Sequence, residues 1–166
     1  MKLDEAKGQF IQAWGTLGGN WGISRTMSQV HALLLLANAP LSSDDIMAEL
    51  QISRGNVNMN VRALIEWGLV FKILKPGDRK EYFAAEKDIN KVAKQIAKER
   101  RKRELQPVLA ILADVKQLDD PTESTADEFL TMVDDLEQFT SRVDRTLDKF
   151  IKSDENWFYK QLMGLL

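Results

Sequence analysis

Ser53-Arg54-Gly55-Asn56-Val57-Asn58-Met59-Asn60-Val61-Arg62-Ala63-Leu64-Ile65-Glu66-Trp67-Gly68 reads as one helix with two unlike faces. Ser53 suits the N-cap because its hydroxyl can accept a first-turn N–H, and Gly68 suits the stop because glycine tolerates the left-handed backbone that closes a helix. Val57, Val61, Leu64 and Ile65 recur at three- and four-residue spacing and are expected to pack on Ile46 and Leu50 of a preceding short helix over 44–50, capped by Ser42 or Ser43. The opposite face carries Arg54, Gly55, Asn58, Met59 and Arg62, with Asn56 beside them near the helix start. Arg can bind guanine O6 and N7 with two hydrogen bonds, and Asn can do the same at adenine N6 and N7. A helix with three Asn and two Arg therefore has the vocabulary for reading double-stranded DNA.

Downstream the periodicity changes. Leu69 to Lys75 is rich in strand formers, Pro76-Gly77-Asp78 is turn chemistry, and Glu81 to Ala85 can return as an antiparallel partner. This two-stranded β-hairpin has a basic tip, with Lys72, Lys75, Arg79 and Lys80 at or near it. Over residues 51–80 six basic side chains stand against two acidic ones. Tight turn, helix and basic hairpin within so short a span predict a winged helix-turn-helix, whose wing meets phosphate beside the reading helix.

Upstream, Phe10, Ile11, Trp14 and Leu17 predict an amphipathic helix over 4–17, with Gly18-Gly19 as its break. Val30, Leu33, Leu34 and Ala37 predict another over 28–38, closed by Asn38-Ala39-Pro40. From about Lys87 a long helix is expected, interrupted at Asp119-Asp120-Pro121, then a helix near 126–151 and a short apolar tail from Trp157. Leu105, Leu109, Leu112 and Val115, then Phe129, Met132, Leu136, Phe139, Val143, Leu147 and Phe150, form an apolar seam. The spacing leaves open whether that seam closes within one chain or across two; dimerisation is the expectation, with the N-terminal helix as a second interface candidate. The basic run Lys98 to Arg103 either touches flanking DNA or pairs with the acidic C-terminal part, and the second reading is favoured.

Charge divides the chain in the same place. Residues 1–103 carry 17 Lys and Arg against 11 Asp and Glu, and residues 104–166 carry 6 against 14, inside a net charge of -2. Only the first part is suited to a polyanion. With no cysteine and the single His31, thiolate zinc sites, cysteine nucleophiles and His-based acid–base or metal clusters are excluded, so neither an enzyme nor a metal or cofactor is expected. His31 reads as a packed structural histidine. No phosphate-binding glycine loop is present among the glycines. No apolar run is long enough to cross a bilayer and the start MKLDEAKGQF lacks a signal-peptide centre, so a cytoplasmic protein without membrane contact is expected.

The stretch Trp14-Gly15-Thr16-Leu17-Gly18-Gly19-Asn20-Trp21-Gly22-Ile23, together with the helix quoted first and Leu69-Val70, resembles the GbsR family of regulators, relatives of MarR. The resemblance covers about residues 5–105, and the SRGN start followed by Met59-Asn60 is its most specific part. It implies a dimeric winged-helix regulator, with Ser53, Arg54, Asn56, Asn58, Met59 and Arg62 facing DNA and Arg79 at the wing tip. Some members of that family control osmoprotectant genes and respond to choline or related quaternary ammonium compounds, so the resemblance makes osmoprotectant genes a candidate target and choline or glycine betaine a candidate effector, with both left open by the sequence. Trp14, Trp21 and Trp67 are the candidate aromatic box for a quaternary ammonium ion, against the reading in which Trp14 is simply core.

The expected architecture is mainly α, with a winged helix-turn-helix over 1–85, a connecting helix over 86–118 and a C-terminal helical dimerisation region over 119–166. The full candidate DNA-binding set is Ser53, Arg54, Gly55, Asn56, Asn58, Met59, Arg62, Lys75, Arg79 and Lys80. The expected function is sequence-specific regulation of transcription by a homodimer on a pseudo-palindromic operator. The rival is a winged helix that serves protein assembly and never touches DNA.

Overall fold

The computed structural model describes residues 1–20, 22–118 and 125–153, so Trp21, the Asp119-Asp120-Pro121 interruption and the tail from Trp157 lie outside the described residues. Helices α1 (Leu3–Asn20) and α2 (Arg25–Leu36) lead to strand β1 (Leu41–Ser42), then α3 (Ser43–Leu50) and α4 (Arg54–Glu66). Strands β2 (Val70–Leu74) and β3 (Glu81–Ala85) follow, then α5 (Ile89–Arg100), a π-helical turn (Arg101–Leu105), α6 (Gln106–Asp114) and α7 (Ala126–Lys152). The chain forms two compact units, one ending at Val92 and one beginning at Ala93. Among the described residues no helix is long and apolar enough to cross a membrane.

In the first unit the core is Val30, Leu34, Ile46, Val57, Val61, Leu64 and Val70, all essentially inaccessible, with Phe83 and Ala85 buried beside them. The caps work as the residues dictate. Ser42 accepts from the Asp45 N–H while the Asp45 carboxylate accepts from the Ser42 N–H, a reciprocal capping box at α3. Ser53 Oγ accepts from Asn56 N–H at 3.3 Å, and Gly68 turns the chain out of α4 with φ 70°. Helix α2 ends on a more distant partner. The ammonium of Lys87, just past β3, donates to the carbonyls of Leu34 (2.7 Å), Leu35 (2.5 Å) and Ala37 (2.8 Å), acceptors that a helix end leaves without an N–H.

Several expectations change. Gly18-Gly19 does not break α1, which runs on to Asn20. A Cβ on Gly18 would lie 1.9 Å from Ser28 Oγ, so this glycine is present because α1 and α2 touch backbone to side chain there. Helix α2 starts at Arg25, earlier than expected, because Ser24 Oγ accepts from Met27 N–H as its cap. Ile65 is 38% exposed, whereas Asn60 is buried in its place on the inner face. The hairpin also gains a third strand. The sheet order is β1-β3-β2, all antiparallel, with Leu41 opposite Phe83 and Lys72 opposite Phe83 on the other side.

In the second unit the long helix carries a π turn that spacing did not signal. Gln106 N–H bonds Arg101 O, five residues back, immediately before Pro107, which has no N–H to continue the ordinary ladder. The basic run pairs with the acidic helix through Arg101. Its Nε and Nη2 donate to the two oxygens of Asp144 at 2.6 and 2.9 Å, and its Nη1 donates to Asp148 at 2.8 Å. Lys116 forms ion pairs with Asp134 and Glu137 on the same helix. Helix α6 packs on α7. The apolar seam divides on α7: Val143, Leu147 and Phe150 are half-buried, while Phe129, Met132, Leu136 and Phe139 are 44%, 59%, 47% and 63% exposed, and the fully buried positions are Ala126 and Val133, which the seam did not include.

Candidate nucleic-acid interface

The candidate surface lies wholly in the first unit, on α4 and the β2–β3 hairpin. Burying Val57, Val61 and Leu64 fixes the rotation of α4, because residues three and four apart share a face. That rotation leaves Arg54, Gly55, Asn56, Asn58, Met59 and Arg62 exposed. Asn58 and Arg62 carry no side-chain bond among the described residues, and Met59 is 61% exposed. The third asparagine does something else. Asn60 is 3% exposed and its Nδ2 donates to Asn56 O at 2.7 Å, so it satisfies the helix interior and is unavailable for reading. Gly55 leaves the first turn bare: a Cβ there would meet only Ser53 Oγ, at 4.0 Å. Backbone N–H groups at such a helix start suit a phosphate oxygen.

The wing tip is held by one carboxylate and one ring. Asp78 accepts from the Lys80 N–H at 2.9 Å and from the Tyr82 hydroxyl at 2.7 Å. Those bonds hold the Asp78 carboxyl below its ordinary range, and the same hydroxyl bond raises Tyr82 above its own. Lys75 Nζ sits 3.6 Å above the Tyr82 ring centroid, a cation–π contact. Arg79 projects from this braced turn without a partner among the described residues. Lys72 pairs with Glu81 across the hairpin.

One residue that spacing did not single out joins the two elements. Asp44, in the first turn of α3, takes Arg54 on Oδ1 at 2.6 Å and Lys80 on Oδ2 at 3.3 Å. The hydrogen bond from Arg54, then that from Lys80, pulls its carboxyl below the usual carboxylate range. The available signal is the Asp44-Asp45 doublet: one acid completes the cap with Ser42, which leaves the other without a local task. Tyr82, a strand former by type, gives no such signal.

Of the three candidate aromatic residues, two are described. Trp14 stacks on Phe10 with centroids 5.6 Å apart and lies 6.3 Å from His31, Trp67 closes α4, and Trp21 lies outside the described residues. A groove of about 640 Å³ does open between α1, the end of α2 and α3, floored by Ile11, Leu33 and Leu36. Neither Trp14 nor Trp67 lines it.

Residues 21–81, from the α1–α2 turn to the start of β3, match the sequence pattern of the MarR family. Among solved structures the chain is similar to a crystal structure of a transcriptional regulator, with a TM-score of 0.68 and 16% identity over 88% of this chain and 95% of that one. A mutant of S. aureus MepR bound to an oligodeoxyribonucleotide aligns at a TM-score of 0.41 and 16% identity, over 84% of this chain and 91% of that one. No curated protein matches the chain in sequence. The fold is a winged helix, mainly helical with a small three-stranded antiparallel sheet, and its residues 21–81 are similar to the MarR family.

Proposed function

We propose that this MarR-type winged helix binds double-stranded DNA in a sequence-specific manner and regulates transcription as a homodimer. The observation that carries the reading is the outer face of α4. Asn56, Asn58, Met59 and Arg62 are exposed there on a helix whose rotation is locked by its buried side. Arg54 and Gly55 open the same helix, and Arg79, with Lys75 and Lys80, extends the face onto the wing. The chemistry divides by element: side chains of α4 suit base edges in the major groove, and wing cations suit phosphates or the minor groove.

The dimer rests on a second observation. Phe129, Met132, Leu136 and Phe139 repeat along one exposed face of α7, and Leu3, Phe10 and Leu17 stand 70%, 37% and 39% exposed on α1. An apolar stripe of that length on a folded chain calls for a partner surface, and a second copy would bring two α4 helices to half-sites one DNA turn apart, roughly 34 Å. An effector acts in this scheme by changing that spacing, and choline or glycine betaine are the first compounds to try, as the GbsR-type resemblance implies. The domain plan that follows is a DNA-reading part over 1–85, a connecting helix over 86–118 and a dimerising part over 119–166.

The deciding experiment titrates the purified chain against duplexes from its own upstream region and against scrambled duplexes, at several salt concentrations, with and without choline or glycine betaine. Selective binding that weakens steeply with salt is the expected result. Absence of selective binding at low salt would replace this reading with the protein-assembly one, for which the 73% exposed Leu74 and 48% exposed Phe71 on the wing offer a surface.

A further inference from the structure

The basic face is largely occupied by its own protein. Of the six cations over residues 51–80, Arg54 and Lys80 are held by Asp44, Lys72 by Glu81, and Lys75 rests on the Tyr82 ring. Only Arg62 and Arg79 stand without such a contact among the described residues. The Asp44 contact differs from the others because one carboxylate, from a third element, holds the first residue of α4 and the wing together. The helix start does not need it, since Ser42 and Asp45 already make the capping box.

We infer that Asp44 is the internal counter-ion of the DNA-binding face, occupying Arg54 and Lys80 in the free protein and yielding them when a nucleic-acid phosphate displaces it. The inference rests on the DNA-binding reading above and adds a brake to it. The arrangement suits exchange. The side chains of Arg54, Asp44 and Lys80 are 62%, 47% and 60% exposed, so the ion pairs are screened and weak, and a phosphate can reach both cations from solvent. A carboxylate fixed beside the face also repels every phosphate that approaches it, whatever the base sequence. Asp44 therefore lowers the affinity for DNA in general, leaving the contacts of Asn58 and Arg62 to recover it at the right sequence.

The test is a titration of the full-length chain and of Asp44→Asn against a non-operator duplex and an upstream-region duplex, at low and at raised salt. Glu49→Gln serves as the control for charge alone: Glu49 is exposed on the same helix and has no ion pair among the described residues. Asp44→Asn is expected to tighten binding to both duplexes by roughly threefold to tenfold, the sum of two exposed pairs, with the gain shrinking as salt rises. Placing Asp44→Asn in an Arg54→Ala, Lys80→Ala background should abolish most of that gain. Unchanged or weaker binding by Asp44→Asn would overturn the inference and make Asp44 an organiser of the face. An equal gain from Glu49→Gln would also overturn it, since the effect would then be bulk charge. If neither wild type nor Asp44→Asn binds any duplex at low salt, the DNA-binding reading itself falls, and the inference with it.

Discussion

Gly18 of α1 approaches Ser28 of α2 so closely that a Cβ on the glycine would lie 1.9 Å from the serine Oγ and 2.7 Å from its Cβ. The contact sets the distance between the two helices. Three glycines of α1 form a graded series: nothing lies within 4 Å of a Cβ on Gly8, and one on Gly15 would meet the side chain of Gln29 at 2.7 Å. Ala gains about 0.5–1 kcal/mol over Gly in an exposed helix interior, and overpacking a filled site costs about 1–3 kcal/mol. Gly8→Ala should therefore stabilise the protein and Gly18→Ala destabilise it, with Gly15→Ala between them because the Gln29 side chain can give way. Urea unfolding of the three variants checks the order.

His31 makes the stability pH-dependent in a defined window. Burial, and secondarily the charge of Lys87, lowers its pKa from 6.5 to about 4, and its Nε2 has no hydrogen-bond partner to stabilise an added proton. The unfolded chain takes up the proton at the ordinary value and the folded chain only near 4. Stability is therefore full above pH 6.5 and falls as pH drops from 6.5 to 4, by about 3 kcal/mol in all. Asp44, Asp78 and Asp144 are shifted the other way, so their contribution is lost at lower pH, below 3.8. His31→Leu should flatten the profile above pH 4; an unchanged slope would show that His31 is not its source.

On the proposed interface, Asn58→Ala and Arg62→Ala should lower affinity for the operator by about 1–3 kcal/mol each and leave scrambled DNA nearly unaffected. Neither should change stability, since both side chains are exposed. Arg79→Ala should weaken binding to all duplexes alike and reduce the salt slope by about 0.9. Anisotropy titrations at several salt concentrations separate the two patterns, and a base-specific loss from Arg79→Ala would reassign the wing tip to sequence reading.

The exposed stripe of α7 predicts an assembly. Met132→Glu combined with Phe139→Glu places charge on two residues that are 59% and 63% exposed, so a lone chain should keep its helicity. If α7 is the dimer face, light scattering on the variant should give a monomer and operator affinity should fall to that of one half-site. A variant still dimeric would direct attention to Phe10 and Leu17 on α1.

The sequence carried most of this architecture because the helix-turn-helix is a local pattern. The caps at Ser42 and Ser53, the stop at Gly68 and the turn at Pro76-Gly77 act within a few residues of themselves. What spacing missed depends on partners distant in sequence. Gly18 looks like a helix breaker until Ser28 is beside it, and Asn60 looks like a base reader until its side chain bonds Asn56 O. Ile65 falls a little outside the buried arc that Val57, Val61 and Leu64 define. A two-residue strand such as Leu41–Ser42 is too short for any periodicity, and Asp44 gains its role only when α3, α4 and the wing converge.

Lys87 has a mechanical consequence. Directly after β3 the chain is moored to the end of α2 by three bonds from one ammonium, and the neighbouring Glu86 N–H holds Leu69 O at 3.0 Å. A pull on the chain just beyond residue 87 is therefore expected to load the end of α2 together with β3, so that the strand is not peeled from β2 alone. With Asp44 joining Arg54 to Lys80, α4 and the wing would then travel as one piece of cargo, their mutual grip unaltered.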